Sequence, residues 1–282
     1  MQQPTPAPEL PFRVVETVTR GGTTFELLEY RPLSGTEPLA AVERLYALNR
    51  AGARLRQLRV RLSDDAVRTE PGALQFLKGH IAMESTTGAG AGLGGLVRGA
   101  LAAARTGETV FKPLYRGRGE LYLEPTFGHV WLAQLGGAAL GGEALGAETV
   151  YADQGLFYCC EDSVQVSAHK VESFSARLAG GEGRYQTQLT GSGVVAFRIP
   201  VPRSEIVAVD LADETLQVDG SFALLRTGDV RFTVERAGTS LAGAVTSGEG
   251  LLQTFRGTGR VWLAPTQPLY ARLQATGTAA SG

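Results

Sequence analysis

The chain has 282 residues, of which 43% are hydrophobic, so it can bury the core of one large domain or of two average ones. Its 27 basic and 28 acidic residues nearly cancel, which excludes a global field that would draw it to nucleic acid or to anionic lipid. The only two cysteines are adjacent, which excludes a disulfide framework between distant segments.

The first predicted elements are a lead, a β-hairpin and a helix. Residues 1–11 are rich in proline and lack the basic and apolar regions of a signal peptide, so they predict a disordered lead and a cytoplasmic protein. Apolar and polar residues alternate over 12–31 around a Gly-Gly pair, which predicts a β-hairpin. The apolar spacing then becomes helical and stops at a glycine, which predicts one helix over 38–51.

Beyond residue 53 the alternation is typical of β-strands, and two short patterns recur three times. The first is an acidic residue just before a turn glycine, at Glu70, Asp153 and Asp219. In the second, a Gly-Glu pair leads through an alternating apolar run to Gly-x-Gly, at Gly117/Gly119, Gly191/Gly193 and Gly257/Gly259. Because glycine adopts positive φ without strain, each Gly-x-Gly predicts a tight hairpin turn.

The repeats predict an all-β fold of three tandem modules, of β-sandwich or double-stranded β-helix type, because one such unit cannot bury its apolar face alone. The first module is predicted over 12–110, with the hairpin, the helix and a glycine-rich insertion. The insertion has the apolar spacing of a short helix near 93–105. The second module is predicted over 111–200, the third over 201–273, and a flexible tail over 274–282.

A basic run forms one candidate interaction surface: Arg50, Arg54, Arg56, Arg59 and Arg61. Such side chains could bind the phosphates of RNA or of another single-stranded nucleic acid. No aromatic residues are interleaved with them, so a solvated strand face or a subunit contact is the favoured interpretation. Under the nucleic-acid alternative, reversing Arg59 and Arg61 to glutamate weakens salt-dependent binding.

The repeated acids Glu70, Asp153 and Asp219 form a second candidate, a symmetric ring of charge with one carboxylate for each module. The favoured alternative is local, because an acidic side chain before a turn glycine commonly accepts backbone N–H bonds. Both interpretations stay open from the sequence alone.

No residue set predicts a catalytic, cofactor or metal site. The histidines at positions 80, 129 and 169 each stand alone, without the converging ligands of a metal site. Cys159 and Cys160 lie in an aromatic strand with no basic partner nearby, so they are interpreted as small core residues rather than as nucleophiles, with at most one thiol facing the interior. A small-ligand or metal-binding β-barrel is kept as an alternative.

Four phrases in combination resemble the bacterial branch of the altered inheritance of mitochondria protein 24 family. They are EPGALQFLKGHIAMES, ETVFKPLYRGRGELYLEPTFG, TLQVDGSFALLRTGDVRFTVE and GEGLLQTFRGTGRVWLAPT, and the resemblance covers residues 25–266. It implies a fold similar to the trp RNA-binding attenuation protein, with three such modules in one chain, and a ring-like homo-oligomer, a trimer. The RNA-binding motif of the attenuation protein has no match here, so none of its residues is carried over.

The expected function is therefore that of a non-catalytic oligomeric scaffold or interaction protein without a cofactor. Its expected partner is itself, with other protein partners open, nucleic acid not expected, no transmembrane span, and peripheral membrane association left open.

Overall fold

The computed structural model describes residues 10–35, 37, 39–84, 112–137, 143–171, 185–236 and 251–278. The chain starts with a hairpin and a helix: β1 (Phe12–Arg20), β2 (Thr23–Tyr30) and α1 (Leu39–Arg50). The remaining elements are β3 (Arg56–Thr69), β4 (Leu74–Glu84), β5 (Leu114–Leu123), β6 (His129–Leu135), β7 (Glu143–Ala144), β8 (Thr149–Ala152), β9 (Phe157–Glu161), β10 (Val164–Lys170), β11 (Tyr185–Gly191), β12 (Gly193–Ile199), a 3-10 helix (Arg203–Glu205), β13 (Val207–Asp219), β14 (Ala223–Thr227), β15 (Val230–Arg236), β16 (Leu251–Leu263) and α2 (Gln267–Thr278).

The predicted all-β class, the N-terminal hairpin and the N-terminal helix are confirmed. The helix suggested near 93–105 lies outside the described residues. The tail is different from the prediction, because α2 covers positions assigned to the end of the third module and to a flexible tail. This helix is held at its start by Tyr270, whose hydroxyl donates to Glu205 at 3.0 Å, a contact with no local sequence signal. The similarity to the attenuation protein stays a prediction.

The three repeats fold into three units with the same strand order, in which the third strand lies between the first and the second. The first unit is β3, β5 and β4; the second is β6 with β8, β12 with β11, and β9 with β10; the third is β13, β16, and β14 with β15. At one equivalent position of each unit, the residues that lie side by side across the three strands are Val60–Leu121–Leu77, Ala133–Val195–Cys160 and Val209–Val261–Arg226. Because β5 pairs with β3 and β4, it belongs to the first unit, whereas the predicted boundary at residue 110 placed it in the second.

None of the three Gly-x-Gly sequences forms the predicted hairpin turn. Gly117 lies inside β5 and Gly257 inside β16, where the chain continues in the same direction. Opposite them, Asp64 and Asp213 are bulge residues with φ of 57° and 60°, so paired strands bend there instead of reversing. Gly191 lies at the end of β11, where the chain passes from the sheet that contains β11 into the different sheet that contains β12.

Two sheets result, and the second unit contributes to both. The first sheet has the order β1-β2-β3-β9-β12-β6-β7, with β5 and then β4 attached to β3. The second has the order β10-β11-β8-β14-β16-β13, with β15 also paired to β16. The largest fully buried side chains include Trp262, Tyr158, Phe157 and Phe197, which pack where the units meet. None of the helices in the described part of the chain is long and apolar enough to cross a membrane.

Candidate functional site

Two strand–strand contacts join the three units, and both contacts pair equivalent residues of the repeat. The first unit contacts the second through β3 and β9, and the second contacts the third through β8 and β14. The paired residues are Val67–Glu161, Arg68–Cys160 and Thr69–Cys159 in the first junction, and Val150–Thr227, Tyr151–Arg226 and Ala152–Leu225 in the second. These pairs occupy the same positions in the repeat, so one mode of association is used twice.

The backbone bonds that flank the two junctions are also equivalent. The N–H of Glu70 donates to the Tyr158 carbonyl at 2.9 Å, and that of Asp153 donates to the Leu224 carbonyl at 2.8 Å. At the other end, the N–H groups of residues 162 and 228 donate to the carbonyls of residues 66 and 149 at 3.1 and 2.8 Å. The first two repeated acids therefore lie at unit junctions, and Asp219 holds the same position at the end of β13.

Backbone hydrogen bonds close the turns that follow the first two repeated acids. The backbone carbonyls of Glu70 and Asp153 accept the turn N–H groups, from Ala73 at 3.0 Å and from Leu156 at 3.3 Å. The carboxylate of Glu70 binds the Lys112 ammonium at 2.5 Å. Whether the three acids form a ring stays a prediction that depends on the assembly.

The candidate basic surface divides into arginines that form ion pairs with β2 and arginines that lie away from that strand. Two glutamates of β2 form ion pairs with three of them: Arg56 reaches Glu29 at 3.2 Å, while Arg59 and Arg61 share Glu26 at 2.7 and 3.4 Å. The other two, Arg50 and Arg54, lie at the end of α1 and in the following loop, where the Arg54 guanidinium donates to the Ala53 carbonyl.

Arg59 is further built into the sheet by aromatic neighbours. Its guanidinium lies 5.9 Å from the Phe12 ring centre and 5.8 Å from that of Tyr122, and it donates to the Tyr122 hydroxyl at 3.3 Å. Cation–π contacts and an ion pair to a nearly buried carboxylate fix this side chain in place. Arg56, Arg59 and Arg61 therefore serve to hold β3 against β2 through cross-strand ion pairs. The glutamates of β2 were the sequence signal that could have shown it.

A buried carboxylate that sequence reasoning missed links the N-terminal hairpin to the second unit. Glu161 on β9 accepts the Arg20 guanidinium at 2.8 Å and the Val194 N–H at 2.8 Å. Burial raises the pKa of the Glu161 carboxyl, an effect that the Val194 and Arg20 bonds oppose. Arg20 and Glu161, together with Asp65 and Ser163, line a cavity of about 380 Å³. No local pattern links Arg20 to Glu161, since 141 positions separate them.

Both cysteines are fully buried, whereas the sequence predicted that at most one thiol would face the interior. Cys159 packs in the core shared by the first and second units, and Cys160 packs in the core shared by the second and third. Strand β9 is covered on both faces, so alternation does not expose either thiol. Burial raises the pKa of both thiols.

We expect neither cysteine of the folded protein to react with a thiol reagent such as DTNB at neutral pH, because the thiolate is disfavoured and access is closed. Two thiols per chain should become reactive in denaturant, which serves as the control. Rapid modification of even one thiol in the native protein would instead support the nucleophile alternative.

The histidines lie apart and face different neighbours. His129 contacts the Arg56 guanidinium through Nδ1 at 3.1 Å, and burial followed by this cation lowers its pKa. His169 packs on the Tyr151 ring, and burial followed by Arg226 lowers its pKa. His80 lies on the exposed strand β4. Within the described ranges no group of three or more His, Cys, Asp or Glu side chains could hold a metal ion.

A cavity of about 370 Å³ lies beside the junction of the second and third units. Its lining includes His129, Asp153, Arg198 and Leu224. The half-buried Arg198 places its guanidinium 4.4 Å from the Tyr158 ring centre, a cation–π contact. The small-ligand alternative could be tested at this cavity.

Comparisons with known proteins give a family and a fold. The family model for mitochondrial biogenesis AIM24 matches residues 49–266. The crystal structure of protein SPYM3_0169 from Streptococcus pyogenes is similar with a TM-score of 0.50 and 18% identity, over 74% of this chain and 87% of that chain. At this identity the likeness shows the fold alone. No curated protein sequence matches the chain.

Proposed function

The chain belongs to the mitochondrial biogenesis AIM24 family, and from this premise we propose that it is a non-catalytic homo-oligomeric scaffold, a cytoplasmic protein whose chains close into a trimeric ring. The proposal is supported chiefly by the repeated unit junction, since the same strand contact occurs twice within one chain. A series of identical contacts has two ends, and unpaired strand edges at such ends favour association with another copy.

The alternatives have weaker support. Nucleic-acid binding favours free cations, yet Arg56, Arg59 and Arg61 are held in ion pairs with two glutamates of the same sheet. A catalytic role needs a nucleophile or an acid–base pair with access to substrate, and the two buried thiols do not provide one.

Native mass spectrometry of the purified chain tests the proposal. We expect a complex of several identical chains at micromolar concentration, with a mass corresponding to three copies and no retained metal, small ligand or nucleic acid. Dilution should separate the complex into folded single chains. A single chain at all concentrations would contradict the scaffold, and a retained nucleic acid or small molecule would favour one of the alternatives.

A further inference from the structure

The series of unit junctions leaves one strand edge open at each end. Among the described strands, β13 of the third unit pairs only with β16, and β4 of the first unit pairs only with β5. Both edges correspond to strands that are paired in the other units. The register of the repeat aligns Leu216, Gln217 and Val218 of β13 with the junction residues of β3 and β8. It likewise aligns Phe76, Leu77 and Lys78 of β4 with those of β9 and β14.

Burial differs sharply between β4 and its counterparts. Strands β9 and β14 are buried at every position, because each is paired on both edges. On β4, the side chains of Phe76 and Leu77 are 48% and 38% exposed. Large apolar side chains on an unpaired edge are the usual template for strand addition, and natural proteins seldom leave them uncovered.

The two open edges also differ in charge. Strand β13 contains four acidic residues and no basic residue. Strand β4 contains Lys78 and His80 and no acid before its last residue, Glu84. Two copies of β13 would repel each other, whereas β13 and β4 attract, so the charges favour a head-to-tail contact over a symmetric one.

Building on the proposed homo-oligomer, we infer that β13 of one copy pairs antiparallel with β4 of the next copy and repeats the internal unit junction a third time. Leu216 then lies opposite Lys78, Gln217 opposite Leu77, and Val218 opposite Phe76. The flanking bonds run from the Asp219 N–H to the Gln75 carbonyl and from the Gly79 N–H to the Thr215 carbonyl. Because the two edges differ, the contact is heterologous and propagates until a ring closes.

The hydrogen-bond pattern of antiparallel strands identifies which backbone N–H groups would form the contact between copies, and therefore which ones a test should eliminate. Hydrogen-bonded and non-hydrogen-bonded pairs alternate in an antiparallel ladder, so the flanking bonds of the internal junctions make their middle pair the one that exchanges both bonds. The corresponding residues on the open edges are Gln217 and Leu77. In a single chain their N–H groups point away from β16 and β5, and an edge strand tolerates proline at such a position.

Complementation between two proline variants tests the inference. We expect Leu77→Pro and Gln217→Pro each to run as folded single chains at a concentration where the wild type is oligomeric. Mixed in equal amounts, they should form a complex of two chains and none larger, because each variant supplies the edge that the other lacks. Circular dichroism and the thermal midpoint of each variant control for unfolding.

The outcomes separate the inference from the proposed function. A wild type that is monomeric by native mass spectrometry overturns both. An oligomeric wild type whose two proline variants still assemble, or whose folded monomeric variants fail to pair when mixed, overturns the edge contact and leaves the scaffold standing. A different protein strand, or another segment of this chain, on these edges would give the same failure to pair.

A cysteine pair keeps the inference testable if proline unfolds the chain. Leu216→Cys combined with Lys78→Cys should give disulfide-linked ladders between chains under mild oxidation, since directly opposite residues share one face of the sheet. The matched control, Gln217→Cys with Lys78→Cys, is shifted by one residue and places the thiols on opposite faces, so it should not cross-link. Equal cross-linking of both pairs, or of neither in an oligomeric protein, contradicts the register.

Discussion

Replacing Gly117 with alanine is expected to lower the free energy of unfolding by about 4 kcal/mol. Gly117 lies inside β5 with a φ of 140°, a conformation that L-residues rarely adopt. A Cβ atom at this position would lie 2.1 Å from the His80 carbonyl oxygen on β4. Because that oxygen belongs to backbone, no rotamer change can relieve the overlap, and β4 must shift away from β5.

Gly72→Ala is the matched control. Gly72 also has a positive φ, of 75°, but apart from its chain neighbours no atom lies within 4 Å of the place that a Cβ atom would take. Gly72→Ala should therefore lower the free energy of unfolding by only about 1 kcal/mol, the cost of placing an L-residue in the left-handed backbone region. Urea unfolding followed by circular dichroism measures both. If Gly117→Ala lowers the free energy of unfolding no more than Gly72→Ala does, β4 does not approach β5 this closely.

The same requirement recurs in the other units. The carbonyl oxygens of Ser163 and Asp229 lie 2.8 and 2.6 Å from the Cβ positions of Gly191 and Gly257. These oxygens belong to the turns between β9 and β10 and between β14 and β15, at the position that His80 holds in the first unit. The first glycine of each Gly-x-Gly is thus needed because a carbonyl oxygen of another segment lies where a Cβ atom would be, and not because the chain turns there.

Replacing Arg20 with alanine is expected to cost about 2 kcal/mol of stability at pH 7. The change leaves the Glu161 carboxylate, which is only 6% exposed, with the Val194 N–H but without its cation. Breaking a fully buried pair costs more, but the Arg20 side chain is 32% exposed, so solvent screens part of the loss. Chemical denaturation at pH 7 measures the effect.

Arg13→Ala provides the matched control, since Arg13 lies on the same strand and also pairs with a glutamate at 2.8 Å. Its side chain is 77% exposed, so its loss should cost less than about 0.5 kcal/mol. Adding Glu161→Gln to Arg20→Ala should recover stability, because it removes the uncompensated charge. A double variant that is no more stable than Arg20→Ala would show that Arg20 acts through packing alone.

Acidification should reduce the cost of Arg20→Ala. Burial already raises the pKa of Glu161, and loss of the cation raises it further. For a carboxyl whose folded pKa lies above its unfolded pKa, the folded state binds the proton more tightly. The resulting stabilisation is present at low pH and is lost as pH rises through the folded pKa. The difference in stability between Arg20→Ala and the wild type should therefore shrink as pH falls from neutral. The difference between the double variant and Glu161→Gln alone should change little, because neither carries this carboxyl.

Sequence patterns predicted the strands and helices that neighbouring residues alone specify. The alternation of Leu58, Val60 and Leu62 with Arg59 and Arg61 placed the first three residues in the core, where each is at most 4% exposed. The helix over 38–51 was predicted from period and stop signal and is observed as α1. The threefold repeat predicted three similar units, because similar sequences bury similar faces.

Contacts between distant segments could not be predicted in this way. The arginines of β3 read as a basic surface in the sequence, but the pairing with β2 brings Glu26 and Glu29 beside them. Nothing near Cys160 in sequence indicates that two cores cover both faces of β9. The helix α2 depends in the same way on Glu205, which lies before β13.

The sequence by itself determined the strand alternation, the number of repeated units and the family, since each of these is written in neighbouring residues. Only the tertiary structure decided which strand edges are used and which stay open, because hydrogen-bond register between strands depends on where separate segments meet. The glycines show the difference most directly. Their recurrence is visible in the chain, but the carbonyl oxygen that excludes a side chain comes from another segment.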